Sequence, residues 1–195
     1  MIKDVLSHLQ KQVGDLFSFL NIHPNHITIL SVVFAALGAY LAYEGNLFAL
    51  GCFLIAFLID GLDGAIARAK GLQSAFGAYL DGICDRLVEF LALLPFFFYP
   101  EFLFPAIISL FFGTCMHSFS KAYADHREVM DAKSAAGLKS FLPRTERVIG
   151  IFLALALLLA GFISYAWYLL WILAAVSVGA FLLLQLRVFE AAKKK

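Results

Sequence analysis

The chain has 195 residues, of which 62% are hydrophobic and 15% are charged, and its formal net charge is +1 at pH 7. A soluble domain contains roughly 45 to 50% apolar residues, so the composition excludes an ordinary water-soluble protein and favours a membrane protein. The three cysteines lie within apolar runs and far apart in the sequence, so they predict neither a disulfide framework nor a zinc site.

Residues 1–22 are predicted to form an amphipathic helix at the membrane surface. Apolar residues such as Leu9 and Val13 alternate at helical spacing with the charged residues Lys3 and Lys11. Charges inside the apolar run argue against a cleavable signal peptide. A helix of this kind lies in the headgroup plane with its apolar face toward the lipid tails. A cytoplasmic helix packed against protein is the alternative.

Six apolar runs follow, and each is long enough for a helix that crosses a hydrocarbon core of about 30 Å. Turn signals occur at Glu44-Gly45-Asn46, Tyr99-Pro100 and Gly161. A lipid-exposed backbone must satisfy its own hydrogen bonds, and the sequence lacks the alternation of membrane β-strands, so the predicted fold is all-α. The predicted spans cover residues 27–43, 47–67, 76–98, 102–122, 147–163 and 165–187. They form a six-helix bundle over 26–189, within a single membrane-embedded domain over 1–195.

The distribution of basic residues predicts the orientation of these spans, because Lys and Arg accumulate on the cytoplasmic side. With the N-terminus in the cytoplasm, every Lys and Arg lies in or near a cytoplasmic segment. The short external turns then hold only Glu44 and Glu101 as charged residues. An even number of spans with both termini cytoplasmic is therefore expected.

Four aspartates lie near the turn that joins the second and third predicted spans. At about 100° per residue, Asp60 and Asp63 share one face of the first helix, and Asp81 and Asp85 are four residues apart on the second. The short turn over 69–75 makes the two helices antiparallel neighbours. The four carboxylates are therefore expected to share one pocket near the cytoplasmic side.

These carboxylates need compensating cations, because an ionised side chain at the bilayer centre costs about 2.5 to 3.5 kcal/mol on insertion scales. Arg68 and Arg86 can offset at most two of the four negative charges, whereas two Mg²⁺ or Mn²⁺ ions bring four positive charges and prefer carboxylate oxygen. Gly64 and Gly77 remove side chains from the same helix faces, which allows a nucleotide to approach. A single intramembrane aspartate could instead serve in helix packing or a proton relay.

One motif resembles the complete signature of a known family, the class I CDP-alcohol phosphotransferases. It covers 26 residues and reads Asp60-x2-Asp63-Gly64-x2-Ala67-Arg68-x8-Gly77-x3-Asp81-x3-Asp85. The resemblance extends to the six spans, the amphipathic helix and the Pro24-Asn25-x2-Thr28 segment. It implies a phospholipid-biosynthetic transferase that moves a phosphatidyl-type group from a CDP-linked lipid to the hydroxyl of a polar alcohol, releases CMP and forms a homodimer.

The resemblance also implies roles for individual residues. Asp60, Asp63 and Asp81 are expected to be metal ligands, while Asp85 contributes to metal binding and is the expected catalytic base. The expected nucleotide-binding residues are Asn25, Thr28, Gly64, Ala67, Arg68, Ser74 and Gly77. Three of these have simpler alternative roles. Arg68 could anchor the cytoplasmic side, and Asn25 and Thr28 could be helix-start residues, with Asn25 as the cap of the first helix.

The acceptor is predicted from basic residues near the start of the fifth span. Lys139, Arg144 and Arg147 lie where family members that use a phosphorylated acceptor place cations, which favours inositol phosphate or glycerol phosphate. A neutral acceptor such as serine, an amino alcohol or free inositol is the alternative, and attraction to anionic lipid headgroups is the simplest role for these cations.

No nucleic-acid partner is expected. A divalent-cation transporter is a further alternative, but a transporter would show repeats or polar residues throughout the membrane. Here the polar residues cluster on the cytoplasmic halves of spans two and three.

Overall fold

The computed structural model of the chain describes residues 23–130, 137–138 and 140–193. The predicted amphipathic helix over 1–22, the side chain of Asp63 and Lys139 lie outside the described residues. Throughout the described ranges the regular structure is helical, without a β-strand, as the sequence predicts. The chain forms two compact units, Met1–Ala92 and Leu93–Lys195, which are described in turn.

Helix α1, Pro24–Tyr43, begins the described part of the first unit. Its first residue is a proline, which suits a position where the backbone N–H has no helical partner. His23 precedes it as the N-cap, and its Nδ1 accepts a hydrogen bond from the backbone N–H of Asn25 at 3.3 Å. The alternative role of Asn25 as the helix cap is therefore wrong, because His23 occupies that position.

Helix α2, Phe48–Ala69, packs closely against α1. The ring carbons of Phe53 lie only 3.1 Å from where a Cβ at Gly38 would be, so the close approach of the helices favours glycine at this position. The predicted turn between them is present. Gly45 adopts a φ of 70°, and Asn46 Oδ1 accepts a hydrogen bond from the N–H of Phe48 at 2.9 Å.

A tight turn leads to helix α3, Ala75–Leu93. Gly71, with a φ of 64°, ends α2 by donating from its N–H to the carbonyl of Arg68 at 3.2 Å, while Leu72 donates to Ala67 at 2.9 Å. Ser74 then begins α3, because its Oγ accepts a hydrogen bond from the N–H of Gly77 at 3.0 Å. These two ends explain how so short a connection reverses the chain.

The second unit begins with a 3₁₀ turn, Leu94–Phe98, which leads into helix α4, Pro100–His126. The ring of Phe96 is buried and lies 5.6 Å from that of Phe102, so it serves packing. Helix α4 contains a π-helical stretch, Ser109–Met116, and continues past residue 122, where the predicted span ends.

Helices α5, Arg144–Leu159, and α6, Ile163–Ala192, complete the second unit. They are joined at the predicted turn, where Gly161 adopts a φ of 82°. Two hydrogen bonds tie α6 to opposite parts of α4. The indole N–H of Trp167 donates to the carbonyl of Glu101 at 3.1 Å, and the side-chain amide of Gln185 donates to Ser120 Oγ at 2.9 Å.

Among the described helices, four are long and apolar enough to cross a membrane, namely α1, α2, α4 and α6. Helices α3 and α5 do not meet this description of length and apolar character. Helix α5 has only 16 residues, and α3 carries several ionisable residues among its apolar ones. Large apolar side chains such as Phe48 and Phe104 are exposed, as expected of surfaces that face lipid.

Candidate functional site

Three carboxylates from α2 and α3 form a compact group in the first unit. Ligand atoms of Asp60, Asp81 and Asp85 all lie within 4.8 Å of one another. Asp60 is buried, and the other two are partly buried. Carboxylate oxygens lie about 2.0 to 2.6 Å from Mg²⁺ or Ca²⁺, so ligands on opposite sides of one ion are roughly 4 to 5 Å apart. The spacing and the all-oxygen donor set fit a divalent cation.

Asp63 lies on the same helix as Asp60, immediately before Gly64. Its side chain is outside the described structure, so its role as a fourth metal ligand stays a prediction from the sequence.

Asp85 has a direct basic partner on its own helix. Arg86 Nη1 lies 3.0 Å from Asp85 Oδ2 and also donates to the carbonyl of Gly82 at 3.0 Å. Arg86 therefore offsets part of the negative charge of the group and orients the carboxylate. Glu89, one turn further along α3, is also buried and extends the acidic stripe.

A cleft adjoins the carboxylate group and is formed by α1, the end of α2 and the start of α3. It contains all seven residues predicted to bind the nucleotide, and it also includes Asp81 of the carboxylate group. The lining residues are Pro24, Asn25, Thr28, Gly64, Ala67, Arg68, Leu72, Gln73, Ser74, Gly77, Ala78 and Asp81. Gln73 was not among the nucleotide-binding residues predicted from the sequence. This residue lies in the α2–α3 turn, within the gap between Arg68 and Gly77 where the signature specifies no residue type.

The glycines of the cleft leave space beside polar side chains. A Cβ at Gly77 would lie 3.1 Å from Ser74 Oγ and 3.4 Å from Asn25 Oδ1, so any larger residue would crowd both groups. A Cβ at Gly64 would lie 3.5 Å from Nη1 of Arg68, which shows that the guanidinium lies close to this glycine. The cleft thus combines open backbone surface with one cation and several hydrogen-bonding groups.

Basic residues of the second unit form another group, which includes the predicted acceptor residue Arg147. This residue is buried, with 5% of its surface exposed. Both Arg147 and Lys121 interact electrostatically with His117, and Lys121 also interacts with Arg187. Lys121 Nζ donates to the carbonyl of Leu138 at 2.8 Å. The burial of Arg147 argues against a simple role in attracting lipid headgroups.

Arg144, the second predicted acceptor residue that the structure describes, begins helix α5 and is partly buried. The third, Lys139, lies outside the described part of the chain. Lys121 and Arg187 were not among the predicted acceptor residues.

The fold and the first-unit site define a class: a helical membrane protein with carboxylates suited to divalent metal ions beside a cleft suited to a phosphorylated ligand. Residues 21–179 match the CDP-alcohol phosphatidyltransferase family. The chain belongs to this family and is accordingly an integral membrane transferase of phospholipid biosynthesis that uses a CDP-linked donor.

The chain is also similar to individual proteins of known sequence. An archaetidylinositol phosphate synthase from Pyrococcus horikoshii is 38% identical over 80 residues, which cover 40% of this chain and 43% of that protein. The chain thus spans less than half of that relative. An uncharacterised protein from Aquifex aeolicus is 28% identical over 98% of this chain and 93% of its own length.

Solved structures of phosphatidylinositol phosphate synthase from Mycobacterium tuberculosis share the fold. The structure with CDP-DAG bound has 26% identity and a TM-score of 0.75, covering 93% of this chain and 94% of that one. The structure in complex with manganese and citrate has 25% identity and a TM-score of 0.76, covering 92% and 88% of the two chains.

Proposed function

We propose that this transferase moves a phosphatidyl-type group from a CDP-linked lipid to a phosphorylated polyol, with inositol phosphate as the first candidate, and releases CMP. The observation that carries the proposal is the cleft, because it unites the predicted nucleotide-binding residues and shares Asp81 with the carboxylate group. Relatives that are synthases of archaetidylinositol phosphate and phosphatidylinositol phosphate support the choice of acceptor.

The four aspartates of the signature would hold two divalent cations, Mg²⁺ or Mn²⁺. The grouping of Asp60, Asp81 and Asp85 supports this role, as does the manganese complex of the mycobacterial synthase. Ions held by these residues would supply positive charge against the donor pyrophosphate and the departing CMP.

The cleft residues bind and orient the donor. Arg68 gives charge-assisted hydrogen bonds to a phosphate oxygen, a role that suits its planar set of donors. Gly64 and Gly77 leave room for the nucleotide, while Asn25 and Ser74 offer polar atoms on either side of Gly77. Ala67 and Thr28 complete the wall of the cleft.

Asp85 acts as the general base. It accepts the proton of the acceptor hydroxyl as that oxygen forms a bond to the lipid-side phosphorus, and the bond from this phosphorus to the oxygen of CMP breaks. The ion pair with Arg86 supports this role because it holds one carboxylate oxygen at 3.0 Å and fixes the orientation of the group.

The acceptor phosphate binds to Arg144 and Arg147, together with Lys139. The supporting observation is electrostatic: the buried Arg147 and the partly buried Lys121 both act on His117, and Lys121 also interacts with the exposed Arg187. An anion is attracted to positive charges gathered in this way. A neutral acceptor such as serine or free inositol gains nothing from this attraction.

We further propose six membrane spans in a single domain, with both termini and the active site on the cytoplasmic side, and a homodimeric assembly. The positions of the basic residues support this orientation. An active site on the cytoplasmic side also lets a water-soluble acceptor enter and CMP leave. Resemblance to the family supports the dimer.

The proposed reaction is tested with purified protein, Mg²⁺ or Mn²⁺, and CDP-linked ester and ether lipids, by measuring CMP release with inositol phosphate, glycerol phosphate, serine and inositol. Release is expected with inositol phosphate. Absence of release with every acceptor would overturn the transferase assignment. Release with neutral acceptors alone would overturn the phosphorylated acceptor and leave the reaction class intact.

Replacing Arg144 with alanine is expected to raise the KM for inositol phosphate roughly tenfold, because a hydrogen bond to a charged group contributes about 1.5 to 3 kcal/mol. The KM for the CDP-linked donor should stay nearly unchanged. Arg127→Ala provides a matched control, since Arg127 is an exposed arginine beyond the end of α4. Equal increases in both KM values would contradict the role of Arg144.

A further inference from the structure

Glycine is required at residue 113 by two neighbours from other helices. A Cβ at this position would lie 2.9 Å from Cδ of Arg147 and 2.9 Å from Oγ of Ser177. Neither distance leaves room for a methyl group, so the two side chains occupy a notch that Gly113 opens in α4. Helices α4, α5 and α6 therefore meet at this point of the second unit.

The notch holds the aliphatic stem of a buried arginine. Arg147 is 5% exposed and Ser177 is 0% exposed. Among the described residues, Ser177 Oγ has no hydrogen-bond partner, and a buried hydroxyl in that state costs about 1 to 3 kcal/mol. Helix packing alone does not require an arginine at residue 147 or a serine at residue 177. The contact at Gly38 shows the difference, since an apolar ring fills the space there.

The charged end of Arg147 belongs to the group of basic residues of the second unit described above. His117, one helical turn after Gly113, interacts electrostatically with Arg147 and with Lys121. The stem of Arg147 therefore lies beside Gly113 of α4, and its charge interacts with His117 one turn further along the same helix. Gly113 also lies within the π-helical stretch Ser109–Met116, and such irregular turns recur at functional sites.

We propose that Gly113 and Ser177 are positioning residues, which hold Arg147 so that its guanidinium binds the phosphate of the acceptor. This inference rests on the proposed function and adds the means by which the enzyme selects a phosphorylated acceptor. A bidentate contact depends on the position of the guanidinium, and a misplacement of about 1 Å can lower a rate by roughly a hundredfold. A methyl group at residue 113 would impose a shift on the arginine stem.

The test compares Gly113→Ala with Gly179→Ala, using inositol phosphate and a CDP-linked lipid as substrates. Gly179 lies on α6 two residues from Ser177, and a Cβ there meets nothing within 4 Å. Gly113→Ala is expected to raise the KM for inositol phosphate roughly tenfold, the loss of about one charged hydrogen bond. The donor KM should stay nearly unchanged, and Gly179→Ala should behave as the wild type.

A double-mutant cycle separates positioning from a general effect on structure. In a chain that already carries Arg147→Ala, the change Gly113→Ala should add nothing to the KM for inositol phosphate, because the positioned group is gone. Ser177→Ala, which adds no atoms, should raise the same KM by a smaller factor. It replaces Gly113→Ala in the cycle if that variant does not fold.

Additive effects in the cycle would overturn the inference, as would equal rises in the KM values of donor and acceptor. In either case the proposed transferase function would remain, because wild-type activity with inositol phosphate is measured in the same series. A wild type that uses only neutral acceptors would overturn both the acceptor proposal and this inference.

Discussion

Asp81→Asn is expected to lower metal-dependent CMP release by at least about a hundredfold, the scale of loss when one preorganised electrostatic group is removed from an active site. Asp81 belongs to the carboxylate group with Asp60 and Asp85, and it also lines the cleft. Asparagine keeps the shape of the side chain but removes its charge. The measurement is the initial rate across a concentration series of Mg²⁺ and of Mn²⁺, and Mn²⁺ binding to the purified protein should weaken in parallel.

Asp125→Asn is the matched control, because Asp125 is an exposed aspartate near the end of α4. This variant should keep the wild-type rate and metal dependence. If Asp81→Asn keeps a comparable rate while eluting as an intact protein, the metal site is wrongly assigned.

The same assay applied to Asp63→Asn tests the part of the site that rests on sequence alone. A loss similar to that of Asp81→Asn is expected if Asp63 is a metal ligand. A rate close to that of the control variant would remove Asp63 from the ligand set and leave the other three aspartates.

The helices were predictable because long apolar runs are a local property of the sequence, but their ends depended on details that the runs do not encode. The predicted span 76–98 ends as an α-helix at Leu93, and a 3₁₀ turn follows. Pro95 lies in the first turn of that 3₁₀ segment and has no N–H to continue the α-helical pattern. Pro95 thus ended the α-helix, although apolar residues continue to Phe98.

The first-unit site was predictable for a related reason. Its signature lies within one helix, one short turn and the next helix, so residue spacing nearly determines which side chains meet. The contribution of Asn25 was different. Its Oδ1 approaches Gly77 across a long separation in sequence, and only the family resemblance pointed to it.

The environment of Arg147 could not have been predicted from the same patterns. Counting basic residues treats every arginine near a span end as exposed, whereas Arg147 is buried between helices. Gly113 and Ser177 lie on two other helices, and the meeting of Ser177 and Arg147 at Gly113 follows from tertiary packing. The sequence carried no local signal for it, because an isolated glycine or serine in an apolar run usually reflects packing alone.

Gly77→Leu is expected to reduce kcat/KM for the CDP-linked donor by roughly a hundredfold, mostly through KM, since displacing a bound group by about 1 Å has effects of that size. A Cβ at this position already lies 3.1 Å from Ser74 Oγ and 3.4 Å from Asn25 Oδ1, so the remaining atoms of leucine must enter the cleft. They would occupy space that the nucleotide needs. The measurement is the donor dependence of CMP release at saturating acceptor and metal.

Gly51→Leu is the matched control, because Gly51 is exposed on α2 and a Cβ there meets nothing within 4 Å. It should retain the donor KM of the wild type. Gly77→Leu should also retain Mn²⁺ binding, since the substitution leaves the carboxylates of Asp60, Asp81 and Asp85 unchanged. Loss of donor affinity without loss of metal binding would separate the cleft from the carboxylate group. An unchanged donor KM in Gly77→Leu would show that the nucleotide binds elsewhere.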